Sequence, residues 1–244
     1  MKRNKLLRRR AMKIEHAKVA IIDNSIDSSV YNPLDHWKAY LKVPWESFKA
    51  RKSHFPDLRN GFTHLILTGS EASILERETW VYEEVEIVQE AVEKELSILG
   101  SCYGHQLLAL ALGGPSYVQR SAQPEVGWIS IKIEEKNELL GRMRTAYSFS
   151  VHFDEVVNLG KPFHILASSK HCPIQAFALR GKPIWGLQIH PEIDIPSARK
   201  LLENLVSLNL KTRLFFEKGL KSRPKDSGLI RQIVKNFLRI KEKE

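Results

Sequence analysis

The sequence predicts an α/β fold of three layers, in which an open, mostly parallel sheet has helices on both faces. Short apolar runs typical of buried strands alternate along the chain with longer amphipathic runs typical of helices. A chain of 244 residues can also bury one large core. With no internal repeat or glycine–serine linker, we expect one domain over residues 17–244, preceded by a flexible basic arm over residues 1–16.

The expected elements alternate in the order that such a sheet requires. Expected strands cover residues 18–23, 62–67, 96–99, 129–133, 165–168 and 183–189. Expected helices cover residues 35–41, 76–95, 107–112 and 229–238. The last of these is a C-terminal amphipathic helix that we expect to pack on the domain, with Asp226 or Ser227 as its N-cap.

The segment from Gly100 to Gln106 predicts a sharp turn between a strand and a helix. Cys102 lies in the middle of this turn, with Gly100 and Gly104 on either side. Glycines allow the backbone to turn tightly and leave the central side chain exposed above the sheet, as in a nucleophile elbow. A thiol at a helix N-terminus also has a lowered pKa. Cys102 is therefore a candidate nucleophile.

A cysteine nucleophile needs a base, and the base needs a group that orients it. His190 and Glu192 flank Pro191 directly after the strand-like run at residues 183–189. Functional groups in open α/β sheets gather at the carboxyl ends of the strands, where Cys102 is also expected. A second loop follows the strand at residues 62–67, and backbone amides there, at Gly69 or Ser70, could join the Tyr103 amide in an oxyanion hole.

These motifs resemble those of the class I, triad-type glutamine amidotransferases. The family shares the frame G-x-C-x-G-H-Q around the cysteine and a distant H-P-E, and its E-x-G-W and H-x-D-x-V segments resemble residues 125–128 and 152–156. The similarity runs from about residue 18 to residue 237. Within the family, the chain looks nearest to stand-alone domains related to GMP synthase, including γ-glutamyl peptidases. The resemblance implies a flavodoxin-like sheet.

The resemblance also implies roles for individual residues. Cys102 would attack the side-chain amide of glutamine, or of another γ-glutamyl compound, to form a thioester. His190 would protonate the departing ammonia or amine, and Glu192 would orient the imidazole. Gln106, His152 and Asp154 would contact the substrate. One departure from the family pattern is Thr68-Gly69-Ser70-Glu71, where many members have G-G-P; the other is Ser101, where an apolar residue is usual and where we expect an effect on packing.

The composition of the chain indicates which cellular compartment and which binding partners to expect. The chain has two cysteines, and we expect Cys172 to be structural; the absence of a disulfide framework favours a reducing, cytoplasmic location. No run of about 20 apolar residues predicts a membrane span. The net charge of +10 is concentrated at the two ends of the chain, and we expect a solvated arm without nucleic acid. We expect no cofactor, and no metal because the histidines are scattered in sequence.

Three functions stay open at this point. The first is a glutamine amidotransferase or γ-glutamyl hydrolase, which either serves a separate synthetase subunit or acts alone. The second is a cysteine α/β-hydrolase in which Asp154, and not Glu192, would orient His190. The third is a catalytically idle scaffold that binds a polyanion through its basic termini.

Overall fold

The computed structural model describes residues 10–11, 16–134, 137–208, 210–239 and 241–242. The strands are β1 (Arg10–Ala11), β2 (Val19–Asp23), β3 (Trp45–Lys49), β4 (His64–Leu67), β5 (Ser97–Ser101), β6 (Val118–Ile133), β7 (Thr145–Val156), β8 (Phe163–Ser168), β9 (Ala176–Leu179), β10 (Ile184–Leu187) and β11 (Lys241–Glu242). The helices are α1 (Pro33–Trp37), α2 (Thr79–Glu93), α3 (Tyr103–Gly113), α4 (Ile195–Leu208), α5 (Arg213–Lys221) and α6 (Leu229–Phe237).

One sheet of nine strands organises the molecule, in the order β3-β2-β4-β5-β10-β9-β8-β6-β7. The first five of these strands pair in parallel. From β10 onward every pair is antiparallel, and β6 and β7 extend as a long two-stranded ribbon. The parallel half brings the carboxyl ends of β4, β5 and β10 to one edge, where their following loops can meet.

Helices cover both faces of the sheet, because side chains of the central strands alternate between two cores. In β2, Val19 and Ile21 face a core that contains the apolar side of α6, whereas Ala20 and Ile22 face a second core with α2 and α3. The predicted α/β class, with helices on both faces of an open sheet, is therefore confirmed.

A third core lies over the β6–β7 ribbon and is built from α4 and α5. Ala198 and Leu202 of α4 and Phe216 of α5 pack there against Trp128 and Phe149 of the ribbon. These two helices were not predicted from the sequence. Helix α4 buries Ala198, Leu201 and Leu202, and α5 buries Phe216 and Gly219, so each helix has few buried positions although its apolar residues share one face.

Several element boundaries differ from the expectations. Strand β6 begins eleven residues before the expected strand at 129–133, because polar residues and a change of register between Arg120 and Glu125 obscure its alternation. Helix α1 has only five residues. The residue at the N-cap of α6 is Gly228, with no side-chain cap, so the expected cap at Asp226 or Ser227 was wrong.

The N-terminal arm predicted over residues 1–16 falls mostly on residues outside those described. Within the described part, β1 pairs with β11 in a separate antiparallel ladder. The single domain over residues 17–244 remains a prediction. In the part of the chain that the structure describes, no helix combines the length and the apolar character needed to cross a membrane.

Candidate active site

Cys102 lies on the turn between β5 and α3, in a strained backbone conformation. Its φ is 48° and its ψ is −101°, in a region that non-glycine residues rarely adopt. A Cβ on Gly104 would lie 2.2 Å from the Leu67 carbonyl oxygen, and one on Gly100 would lie 2.3 Å from the Gly104 carbonyl oxygen. Both glycines are therefore needed for α3 to approach the sheet so closely, as expected for an elbow.

The Cys102 sulfur lies in a polar niche between the sheet and the ribbon. Its Sγ is 3.6 Å from the Val151 carbonyl oxygen, and the Gln188 Nε2 donates to it at the same distance. The Cys102 amide donates to the Leu187 carbonyl oxygen at 2.7 Å, which fixes the elbow to the end of β10. The thiol thus lies at the N-terminus of α3 and beside the strand that leads to His190.

His190 and Glu192 interact directly, as their spacing suggested. The His190 Nδ1 is 2.8 Å from the Glu192 Oε1, and both side chains are buried. The Ser101 hydroxyl donates to the same carboxylate at 3.0 Å. Ser101 was expected to affect only packing, so this contact is new: the residue before the nucleophile helps to hold the carboxylate that faces His190.

The electrostatics of this cluster favour a charged imidazole. Burial of the ring opposes protonation, but the charges of Cys102 and Glu192, and the hydrogen bonds to both, outweigh it and raise the pKa of His190. The arrangement is thus suited to a thiolate next to an imidazolium. Burial instead raises the pKa of Cys172 to about 12, so this second cysteine is held as a thiol.

The predicted oxyanion loop lies against His190. A Cβ on Gly69 would lie 2.7 Å from the His190 Cε1 and 3.0 Å from the Tyr31 hydroxyl oxygen. Ser70 and Tyr103 line the same cavity as Cys102. Tyr103 is the first residue of α3, and the first amides of a helix have no partner within the helix. These residues are close enough together for Gly69, Ser70 and Tyr103 to serve one site.

The three predicted substrate-binding residues form one hydrogen-bonded group. The Gln106 Nε2 donates to the Asp154 carbonyl oxygen at 2.8 Å and to the Gln188 Oε1 at 3.2 Å. The His152 Nδ1 is 3.0 Å from the same Asp154 carbonyl oxygen. The Asp154 carboxylate accepts a hydrogen bond from the Ser73 hydroxyl at 2.6 Å. Among the described residues, it makes no hydrogen bond with His190 or with Glu192.

Glu125, His152 and Cys172 are distant from one another in sequence, but their side chains lie close together next to this group. Ligand atoms of Glu125, His152 and Cys172 lie within 4.8 Å of one another, and all three residues are buried. The Glu125 carboxylate accepts from Ser169 at 2.7 Å and from Gln175, and it is 3.3 Å from the His152 Nε2. These contacts connect the middle of the ribbon to Ser169 and Gln175.

A cavity of about 220 Å³ opens beside Cys102. His190, Tyr31 and Ser70 line it, together with apolar side chains of α4 and α5. Four further residues at this site were not predicted from the sequence: Tyr31, Ser73, Arg120 and Gln188. Gln188 could have been found, because side chains two residues apart in a strand point to the same face, and His190 is two residues further on. The others give no sequence signal.

Comparison with known proteins places the chain in a family. A family model described as "Glutamine amidotransferase class-I" matches residues 20–207. One subunit of the glutamine-hydrolyzing GMP synthase of Methanocaldococcus jannaschii is 38% identical over 104 residues, which are 42% of this chain and 54% of that protein. The protein of the same name from Pyrococcus abyssi is 39% identical over 108 residues, 44% of this chain and 56% of that protein. The match thus spans about half the length of these relatives.

Solved structures show the same fold. A glutamine amidotransferase from Thermotoga maritima is 19% identical with a TM-score of 0.68, and the match covers 92% of this chain and 99% of that one. A protein from Thermoplasma acidophilum, described as a GMP synthase subunit, is 24% identical with a TM-score of 0.62, and the match covers 82% and 98% of the two chains. Since the family model matches most of the chain, this protein belongs to the class I glutamine amidotransferase family.

Proposed function

We propose that this protein hydrolyses the side-chain amide of glutamine, or of a related γ-glutamyl compound, with Cys102, His190 and Glu192 as its catalytic triad. The observation that carries the proposal is the contact of 2.8 Å between the His190 Nδ1 and the Glu192 Oε1, in a buried cluster next to the strained elbow of Cys102. Because the Nδ1 atom of His190 faces Glu192, the Nε2 atom of the ring is left to exchange a proton with the Cys102 thiol.

In the first half of the reaction, the Cys102 sulfur attacks the γ-carbonyl carbon of the substrate. The carbonyl π electrons move onto oxygen, and amides of the Gly69–Ser70 loop and of Tyr103 stabilise the negative charge. As the tetrahedral intermediate collapses, the C–N bond breaks and the His190 imidazolium gives its proton to the departing nitrogen. Ammonia or an amine leaves, and a thioester remains on Cys102.

In the second half, water attacks the thioester and His190 takes a proton from it. The C–S bond then breaks, which releases glutamate and restores the thiolate beside the imidazolium. Glu192 accepts the hydrogen bond from the His190 Nδ1 throughout, and Ser101 holds Glu192 in place. The carboxylate therefore orients the ring and stabilises its charge without taking up the proton.

The destination of the ammonia is part of the proposal. The relatives from M. jannaschii and P. abyssi are named as one subunit of a glutamine-hydrolyzing GMP synthase. We propose that this chain either delivers ammonia to a separate synthetase subunit or hydrolyses a γ-glutamyl bond alone. Leu201, Leu205 and Phe216 add apolar surface to the lining of the cavity, which suits a substrate that carries a substituent on its γ-nitrogen.

The contacts of Asp154 count against the cysteine α/β-hydrolase alternative. In that alternative Asp154 would orient His190, but its carboxylate accepts from Ser73 and pairs with Arg120. The scaffold alternative requires an idle site, whereas the raised pKa of His190 and the strain at Cys102 are the features of a working nucleophile.

The test is release of glutamate from glutamine and from a panel of γ-glutamyl peptides by the purified protein, measured by mass spectrometry. We expect Cys102→Ala to lower turnover by more than about 10³-fold while the protein remains folded, because no other thiol faces the cavity among the described residues. Preference for a peptide would indicate a hydrolase that acts alone. Weak turnover of every substrate would indicate a missing synthetase subunit.

Cys172→Ala is the matched control. Cys172 is also buried and free, but it lies next to Glu125 and His152 and does not line the cavity. We expect this variant to keep the activity of the wild type. Hydrolysis that survives in Cys102→Ala would overturn the proposed mechanism.

A further inference from the structure

The loop at residues 68–71, called the oxyanion loop below, is attached at both ends to the loop that follows β2. Thr68 precedes Gly69 and Ser70, and Glu71 follows them. Both Thr68 and Glu71 form hydrogen bonds with residues 24–27, directly after β2. We propose that Thr68 and Glu71 are positioning residues, which hold the oxyanion loop from both sides and fix the direction of the Ser70 amide. This assignment rests on the function proposed above.

The Thr68 hydroxyl connects the two loops. Its Oγ1 accepts from the Asn24 amide at 2.9 Å and donates to the Gly69 carbonyl oxygen at 3.0 Å. The Asn24 Nδ2 donates to the Thr68 carbonyl oxygen at 3.2 Å, and the Gly104 amide donates to the same oxygen at 3.1 Å. Thr68 and Asn24 are both fully buried, and burial strengthens these hydrogen bonds. Asn24 thus holds Thr68 through its side chain and through its backbone.

The bond from Thr68 to the Gly69 carbonyl oxygen also determines where the Ser70 amide points. These two groups belong to one peptide unit, which is planar and trans, so its C=O and N–H groups point in opposite directions. A donor that holds the oxygen therefore sets the direction of the N–H group. An amide whose direction is set before the substrate binds can stabilise a developing oxyanion without reorganisation.

The Glu71 carboxylate holds the other end of the oxyanion loop. Its Oε2 accepts from the Ile26 amide at 2.8 Å, and its Oε1 accepts from the Asp27 amide at 3.1 Å. Hydrogen bonds to a charged acceptor are stronger than those between neutral groups. Between the two attachments, the Ser70 hydroxyl accepts from the Ala72 amide at 3.0 Å.

These contacts give a physical meaning to the departure from the family's G-G-P pattern. A proline restricts the backbone covalently, because its ring fixes φ. This chain has no proline at residues 68–71. Side-chain hydrogen bonds on both sides of Gly69 and Ser70 supply the restriction instead.

The test is steady-state release of glutamate from glutamine by Thr68→Val, which removes the hydroxyl and keeps the size of the side chain. We expect kcat to fall by about 10- to 100-fold with little change in KM, because the oxyanion exists in the transition state and not in the bound substrate. Thr68→Ser restores the hydroxyl and should recover most of kcat. Glu71→Gln keeps one acceptor oxygen and should lower kcat by about 2- to 10-fold.

Thr63→Val is the matched control, at the other end of β4. The Thr63 Oγ1 also accepts from a backbone amide, that of Lys18 at 3.0 Å, and donates to the Lys18 carbonyl oxygen at 3.2 Å. Thr63 does not line the cavity beside Cys102. We expect Thr63→Val to unfold at a lower urea concentration than the wild type, but to keep its kcat.

Alkylation of Cys102 by iodoacetamide, followed by mass spectrometry, separates positioning of the loop from general damage to the site. This reaction requires the thiolate but forms no oxyanion. Thr68→Val should therefore be alkylated as fast as the wild type, although its kcat has fallen. If alkylation slows as much as turnover, the substitution has disturbed the elbow itself and the assignment is overturned.

Other results distinguish failure of the assignment from failure of the proposed function. If turnover depends on Cys102 but Thr68→Val keeps its kcat, the assignment fails and the proposed function stands. If Thr68→Val does not fold, an unchanged kcat in Glu71→Gln overturns the assignment. If the folded wild type hydrolyses no γ-glutamyl substrate, or if Cys102→Ala hydrolyses them equally well, the proposed function fails and the assignment fails with it.

Discussion

The parallel and antiparallel halves of the sheet contribute different parts of the site. Loops after the parallel strands β4, β5 and β10 carry Gly69, Cys102 and His190. The antiparallel ribbon carries Arg120 and Asp154 as one cross-strand pair, with Glu125 and His152 as a second. In the proposed mechanism, the first half supplies the groups that make and break bonds, whereas the second carries the ion pair of Arg120 and Asp154. We therefore expect changes in the two halves to affect different kinetic and thermodynamic quantities.

One buried carboxyl group in each half, Glu125 in the ribbon and Glu84 beside the parallel strands, has different surroundings. In the ribbon, Glu125 accepts hydrogen bonds from Ser169 and Gln175. Beside the parallel strands, Glu84 of α2 is fully buried, and neither of its oxygens has a hydrogen-bond partner of ordinary geometry among the described residues. Its burial raises its pKa to about 8, although Asn24 favours the charged form. Glu125 thus has hydrogen-bond donors around its charge, whereas Glu84 keeps a neutral carboxyl group.

The largest expected effect separates kcat from KM. Glu192→Gln should lower kcat by about 10²- to 10⁴-fold with little change in KM, because the amide cannot fix the imidazole or stabilise its charge. Asp154→Asn should mainly raise KM. Steady-state kinetics on glutamine checks both variants. The reverse pattern, with kcat lost in Asp154→Asn and kept in Glu192→Gln, would favour the α/β-hydrolase alternative.

The next effect concerns stability and compares two glycines. Gly104→Ala should lower the free energy of unfolding by about 2 to 4 kcal/mol, because its Cβ would overlap the Leu67 carbonyl oxygen at 2.2 Å. Gly160→Ala, in the loop between β7 and β8, should change it by less than about 0.5 kcal/mol, since nothing lies within 4 Å of the added Cβ. Urea unfolding measures both. Equal effects would show that the elbow tolerates a wider separation of α3 from β4.

A further effect is a dependence of stability on pH that comes from Glu84, and it is gradual because it is spread over several pH units. The folded protein keeps its proton up to a pKa of about 8, whereas the unfolded chain releases it near 4.5. Glu84 therefore stabilises the fold below pH 4.5, and this contribution is lost as the pH rises toward 8, by at most about 1.4 kcal/mol per pH unit. Glu84→Gln should flatten this part of the stability profile.

Glu86→Gln on the same helix provides the control for Glu84. Glu86 is exposed, so its neutralisation should leave the pH profile close to that of the wild type. Unfolding by urea at several pH values between about 5 and about 8 checks the comparison. If the stability of the wild type rises across this range, and that of Glu84→Gln rises equally, the role given to Glu84 is contradicted.

Much of the parallel half could be predicted from local sequence. The elbow around Cys102 and the H-P-E at residues 190–192 are short segments whose residue types specify a turn, a strand end and a chemical group. The structure brings His190 and Glu192 together with Cys102 because their loops follow neighbouring strands, β10 and β5. Glu84 was missed because a carboxylate in an amphipathic helix ordinarily marks the solvent face.

The antiparallel half shows what the sequence alone could not determine. The chain by itself determined the α/β class, the family and the candidate nucleophile, because glycine spacing and apolar periodicity act over a few residues. Only the tertiary structure decided that Arg120 faces Asp154, that Ser101 holds Glu192, and that α4 and α5 cover the ribbon. The pairing of Arg120 with Asp154 depends on the strand register, which shifts between Arg120 and Glu125. Register is set by packing between segments that are distant in sequence.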